Sequence, residues 1–232
     1  MKKLEAVRNH LEIAIGSCFI ASILFYCSDH FFGHVSFYGN DPVWFFMIQA
    51  LTGIIAIMVP YKLRMENKLR FSPLLYCCYL IFLFASLFLG ELCHFYTLIP
   101  SWDSLLHFSS GFLLFFVALE WLQKMVFQRR SPEVVSLLFL SLCISLAIGG
   151  IWEIYEFISD FIFHTNMQRF LSMNGESLIG RNALTDTMSD LIFGLLGTIL
   201  GITCYVYEHK YKTRESVQEL KVLDSFLEGD EF

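Results

Sequence analysis

Glu91, His94, Asp103 and His107 fall within one short stretch, GELCHFYTLIPSWDSLLHFSSG, set between two long apolar runs. Further along, Glu153, Glu156 and Asp160 close another apolar run, and Asp186 and Asp190 open the last one. Their spacing is helical. Glu91 and His94 are three residues apart, as are Glu153 and Glu156. Asp103 and His107, Glu156 and Asp160, and Asp186 and Asp190 are four apart. Each pair therefore shares one face of a helix. Carboxylates together with imidazoles are natural ligands of a divalent cation, and the same groups move protons.

The elements that must position these residues are membrane spans. Of 232 residues, 56% are hydrophobic and 16% charged, with 25 phenylalanines and a mean hydropathy of +0.57. A water-soluble domain of this size carries more charge. Six runs are long and apolar enough to cross a bilayer: 11–27, 43–60, 74–98, 104–123, 134–158 and 187–207. They lack the polar–apolar alternation of barrel strands. The expectation is an all-α polytopic bundle of about six transmembrane helices, one domain over 1–210, followed by an acidic tail over 211–232.

Lys2, Lys3 and Arg8 ahead of 11–27 imitate a signal peptide. No A-x-A-like site follows, so this run reads as an uncleaved first span. The cysteines lie in or beside apolar runs without a CxxC pair, which argues against a thiolate zinc site or a disulfide framework. The net charge of −6 sits in loops and tails. No basic domain is present to recruit nucleic acid.

Loop charge sets the direction. The N-terminus, loops 61–73 and 124–133 and the tail carry 14 of the 16 Lys and Arg residues. The alternate loops carry only Arg169 and Arg181. Both termini are therefore expected in the cytoplasm of a bacterial plasma membrane. Trp44, Trp102 and Trp152 then fall near the outer interface and Trp121 near the inner one. Spans 3 to 6 all deliver their ionisable residues to the outer leaflet. Gly111, Gly149, Gly194, Gly197 and Gly201 continue the same faces, where small residues let membrane helices approach.

Each residue has a plainer reading. Asp103 suits a helix N-cap, and Thr187 with Asp190 suits a capping box. Glu153 follows 19 residues of its span and can emerge at the interface. His94, beside Phe95 and Tyr96, can be an interfacial aromatic. As a group they are harder to explain this way, because clustered carboxylates need a compensating cation. Arg181 is the nearest fixed positive charge, with Arg169 further off. A divalent metal of unknown identity would supply the charge, and intramembrane ionisable groups are functional by default. The expected core is Asp103, His107, Glu153, Glu156, Asp186 and Asp190, with Glu91 and His94 in support. His107 and Glu153 are the candidates for catalytic proton transfer.

Other patterns carry less. Glu91 and His94 have the Glu-x-x-His spacing of di-iron bundles, but a second such pair is lacking. Asp29, His30 and His34 suit a solvated loop. Ser109 and Ser110 lack a nucleophile-elbow setting. Loop 164–183 reads equally as a lid over the cluster or as an interfacial loop.

The motifs Asp103-Ser-Leu-Leu-His107-Phe-Ser-Ser-Gly111, Glu153-Ile-Tyr-Glu156 and Asp186-Thr-Met-Ser-Asp190, with Gly194 and Gly197, resemble those of the YjdF-like bacterial inner-membrane proteins. A fainter likeness reaches the VanZ-like proteins linked to glycopeptide resistance. The resemblance covers roughly 74–205. It implies the fold and the site but no reaction. The family pattern has a further acidic residue near the position of Ala183, whose absence removes one candidate ligand.

The leading expectation is an integral membrane protein with a divalent-cation site at the outer leaflet. It would act as a metal-dependent enzyme on a lipid or lipid-linked, phosphate-bearing headgroup. The rival expectations are a cation- or proton-coupled transporter and a non-enzymatic membrane sensor or assembly factor. The charge bias makes a direct prediction. In a bacterial host, alkaline-phosphatase fusions made within 164–183 are active, and fusions after Tyr211 are inactive. The reverse pattern contradicts the assigned direction.

Overall fold

The computed structural model describes residues 2–32, 43–66, 71–126, 133–172 and 175–228. The side chains of residues 2, 29–32, 43, 45, 125, 126 and 212–228 are excepted. His34, Asp230 and Glu231, together with the side chains of Asp29 and His30, lie outside the described residues. The chain forms helices α1 (Lys2–Phe32), α2 (Val43–Met65), α3 (Pro73–Leu83), α4 (Phe95–Leu98), α5 (Trp102–Trp121), α6 (Val134–Phe163) and α7 (Arg181–Glu228). Among the described residues, six stretches are long and apolar enough to cross a membrane. Their residue ranges are Lys3–Ser28, Phe46–Met65, Pro73–Leu92, Trp102–Lys124, Val134–Phe163 and Arg181–Tyr211.

Local sequence explains the boundaries that matter for the site. Ser72 caps α3 through its hydroxyl and Pro73 opens the helix, the usual start signal. The third span then widens into a π-helix over Phe84–Leu92 and stops. His94 turns left-handed at φ 59° and starts the short α4, so the apolar run 74–98 is not one helix. Two contacts fit the widened turn. The Trp102 indole donates to the Ala85 carbonyl at 3.3 Å, and the Tyr96 ring occupies the space that a side chain at position 90 would need.

α6 and α7 reach beyond their apolar runs. α6 ends only where His164 turns left-handed at φ 55°, and α7 starts just after Gly180 at φ 64°. Glu153, Glu156, Asp186 and Asp190 therefore sit inside helices rather than at their ends, and Asp160 lies in the last turn of α6. This overturns the capping-box reading of Thr187 and Asp190, because the helix begins at Arg181. It overturns the N-cap reading of Asp103 as well. Ser101 holds that position, and Asp103 is buried in the first turn.

The helices pack as two groups. Phe19, Phe46, Ala50, Tyr76, Leu80 and Leu92 form the core joining α1, α2 and the third span. Phe115, Leu119, Leu122 and Leu137 form the core between α5 and α6, with Ile202 and Tyr205 of α7 against it. α5 and α7 lie backbone to backbone. A methyl at Gly111 would run into the Gly194 carbonyl, and one at Gly197 into the Phe108 carbonyl. Just beyond this crossing, the buried Ser145 and Thr198 hydroxyls lie 2.9 Å apart, each 3.2 Å from the Gly111 carbonyl. That polar knot ties α5, α6 and α7 together where lipid offers no competing partner. Gly149, expected to serve close approach as well, has open space where a side chain would begin and borders a cavity instead. Phe139, Ile151, Phe157 and Phe161 give α6 an exposed apolar face, suited to lipid.

The opposite end is fastened by charges the sequence did not single out. Arg64 grips Glu12 with two bonds, at 2.7 and 3.2 Å, and lies over the Tyr61 and Tyr76 rings. Glu120 accepts from the Ser72 backbone N–H at 2.8 Å and pairs with Lys124 at 2.6 Å.

A bulky side chain at the α5–α7 crossing has nowhere to go. Gly197→Leu should destabilise the detergent-solubilised protein by about 3 kcal/mol or more. Gly149→Ala should be neutral or stabilising by up to about 1 kcal/mol. Thermal unfolding of the two variants checks the contrast; equal effects would contradict the backbone contact.

Candidate functional site

The glycine crossing brings the lower turns of α5 beside those of α7. α5 contributes Asp103 and His107, one turn apart. α7 contributes Asp186 and Asp190, and α6 contributes Glu153 and Glu156 from the third side. The His107 imidazole lies at the centre. Its Nε2 is 3.6 Å from Asp103 Oδ1 and 3.9 Å from Asp190 Oδ2, and its Nδ1 is 3.7 Å from Glu153 Oε1. One donor atom each from Asp103, His107 and Asp190 lie within 4.8 Å of one another, the spacing of groups around a single ion.

Burial makes the grouping costly unless something compensates. Asp190 is 2% exposed, Glu153 and Glu156 are 5% each, and Asp103 is 8%. Both oxygens of Glu153, Oδ2 of Asp186 and Oδ2 of Asp190 are buried without a hydrogen-bond partner. Buried polar atoms are normally paired, and an unpaired carboxylate is the most expensive exception. Glu156 is partly satisfied, since the Trp152 indole donates to its Oε1 at 2.8 Å.

Asp160 builds a cover rather than joining the cluster. Its carboxylate accepts from the Thr165 hydroxyl at 2.6 Å and from the backbone N–H groups of Met167 and Gln168 at 2.7 and 3.0 Å. The returning chain is pinned by the antiparallel bridge between Leu171 and Ser177 and by the Leu171 N–H donating to Asn166. Gln168 then reaches α7, donating to the Thr187 hydroxyl at 3.0 Å. Arg169, held left-handed at φ 45°, spans the cluster, 3.4 Å from Asp103 and 3.7 Å from Asp186. Non-glycine residues rarely take that backbone shape.

Arg169, ranked behind Arg181 on sequence distance, is thus the fixed cation at the cluster among the described residues, while Arg181 is exposed at the start of α7. Nothing in the residues around Arg169 marks it out; the Asp160-centred turn is what aims it inward. His94 lies away from the His107 group, with its ring edge-on to Phe46 at 5.4 Å. Glu91 lines a cavity of about 360 Å³ that also borders Tyr96, Asp103 and His107. Ser109 and Ser110 donate to the carbonyls of Leu105 and His107, the ordinary back-bonding of helical serines.

Chemically, the arrangement offers three carboxylates around an imidazole, one guanidinium above them and a shielded interior. Arg169 is half-exposed, so its ion pairs count for less than their distances suggest. In chelator, Arg169→Gln should cost about 1 kcal/mol of stability. Added Mn²⁺ should recover most of that loss, because a second cation can replace the first. A Tm deficit that persists unchanged with metal would contradict the compensating role.

Residues 35–210 match the model of a family described as a predicted membrane protein, DUF2238. Over 110 residues the chain is 33% identical to an uncharacterized protein of Thermotoga maritima, covering 47% of this chain and 50% of that one. The chain therefore spans about half the length of that curated relative. No solved structure matches. The family match covers the region of the YjdF-like resemblance without naming it, and the VanZ-like likeness finds no support in these matches.

Proposed function

The chain belongs to the DUF2238 family of predicted membrane proteins, and on that footing we propose that its buried cluster is a divalent-cation site acting on a lipid-borne, phosphate-bearing headgroup. One observation carries the reading. Four buried carboxylate oxygens, on Glu153, Asp186 and Asp190, lack hydrogen-bond partners around a central histidine. Asp103, His107 and Asp190 are the proposed ligands. Asp186 and Glu153 stand beside them with further oxygens. A bound divalent ion would clamp a phosphate or lower the pKa of a water molecule.

The chain's own groups divide the remaining work. Glu153, beside His107 Nδ1, is placed to take or return a proton. Arg169 has the planar fork that suits a phosphate oxygen. The turn from Asp160 to Arg169 lies over the cluster and would limit water there. Asp103 stands in the first turn of α5 and His107 one turn deeper, a depth at headgroup level or about one to two turns below it. By the loop-charge bias that headgroup belongs to the outer leaflet.

The metal content of purified protein tests this reading directly. The wild type should retain about one divalent ion per chain. His107→Ala and Asp190→Ala should bind it at least tenfold more weakly, since even outer partners of a metal contribute 10–100-fold. Negligible, unchanged metal in all three would sink the site. Cation uptake into vesicles reconstituted with the protein, lost in the same variants, would replace the enzyme reading with a carrier.

A further inference from the structure

We propose that the cavity beside the cluster seats one long hydrocarbon tail, belonging to the lipid whose headgroup the cluster takes. The inference rests on the headgroup reading above and adds the substrate's other half. The cavity begins at Asp103 and His107 and follows α5 through Ser110 and Leu114 to Val117. Asp103 to Val117 is fourteen residues, or about 21 Å at the helical rise. A leaflet's hydrocarbon depth is about 15 Å, so the occupant reaches past the bilayer midplane. A volume of about 360 Å³ bordered along that length suits a long, flexible guest.

The walls suit a tail. The third span and α5 form its two long sides, and Leu75, Phe82, Leu83, Leu87, Leu106 and Leu113 line them. Three hydroxyl residues on the wall turn their hydroxyls into backbone: Tyr79 donates to the Ala56 carbonyl, Ser86 to Leu83 and Ser110 to His107. At Gly149 the wall has open space where a side chain would stand. The acids and the imidazole on the lining, Glu91, Asp103 and His107, gather at the site end with Tyr96, while Gln49, Tyr155 and the partnerless Tyr76 hydroxyl are polar groups elsewhere on the wall. A polar head and an apolar tail meeting at one histidine is the polarity of an amphiphile. A free phosphate would need only the head end.

Photolabelling separates these cases. The probe is a long-chain alkyl phosphate carrying a diazirine at its terminal carbon, added to full-length protein in phosphatidylcholine vesicles with Mn²⁺. The expected label falls on peptides containing Leu75–Leu83 or Leu113–Val117. Leu114→Trp or Val117→Trp should cut it about tenfold or more, because an indole in the channel would overpack it against the tail, while metal content stays at the wild-type value. Using two plug variants guards against one that fails to fold. Label spread over the lipid-facing Phe139, Phe157 and Phe161, unchanged by either plug, would overturn the tail seat. Metal content read on the same samples keeps the two readings apart. Plug-sensitive terminal label without bound metal upholds the tail and rejects the metal headgroup site.

Discussion

The close passage of α5 over α7 is the constraint on which the rest depends. Gly111, Gly194 and Gly197 let two backbones meet without side chains between them, and Ser145 and Thr198 lock the crossing from the third helix. In a bilayer, helices gain nothing by burying grease against grease, so close backbone packing and interhelical hydrogen bonds must supply the association. The crossing also fixes chemistry. Asp103 and His107 precede Gly111 by two turns and one, and Asp186 and Asp190 precede Gly194 by the same intervals. Bringing the glycines together therefore brings the acids together, whatever electrostatic cost results.

That cost organises the site end. Asp160 spends its carboxylate on folding the chain after α6 back over the bundle, and the result is a guanidinium held between Asp103 and Asp186. One guanidinium does not balance the acids beneath it. The partnerless oxygens of Glu153 and Asp190 lie 3.7 Å from Nδ1 and 3.9 Å from Nε2 of the imidazole, too far for a hydrogen bond, and Asp190 shares the Nε2 side with Asp103. Any ligand taken by the cluster in the folded state would stabilise it by linkage.

Much of this was legible in the sequence, for physical reasons. The six spans show because a bilayer demands long apolar runs. The acidic pairs show because helical spacing of three and four residues is a face. Helix ends were less legible, since a polar residue after an apolar run looks alike whether the helix stops or merely turns inward. Glu153, Asp186 and Asp190 took the second course. His94 fell within the expected span 74–98, but its own left-handed backbone and the π-helical turn before it set it against Phe46. Arg169 was illegible because its position comes from a fold of the loop, governed by hydrogen bonds to a residue nine positions earlier. The cavity could not be read at all. It is a gap between two helix groups, and gaps have no residues of their own.

The central claim is that a cation sits between α5 and α7 with His107 among its ligands. Pulsed electron paramagnetic resonance of the Mn²⁺-loaded protein tests it most directly, because a bound imidazole nitrogen imprints a nuclear coupling on the metal's electron spin. The result expected is one directly bound nitrogen in the wild type, gone in His107→Gln while the fold persists. A Mn²⁺ signal showing only oxygen and water ligands, identical in both proteins, would contradict it.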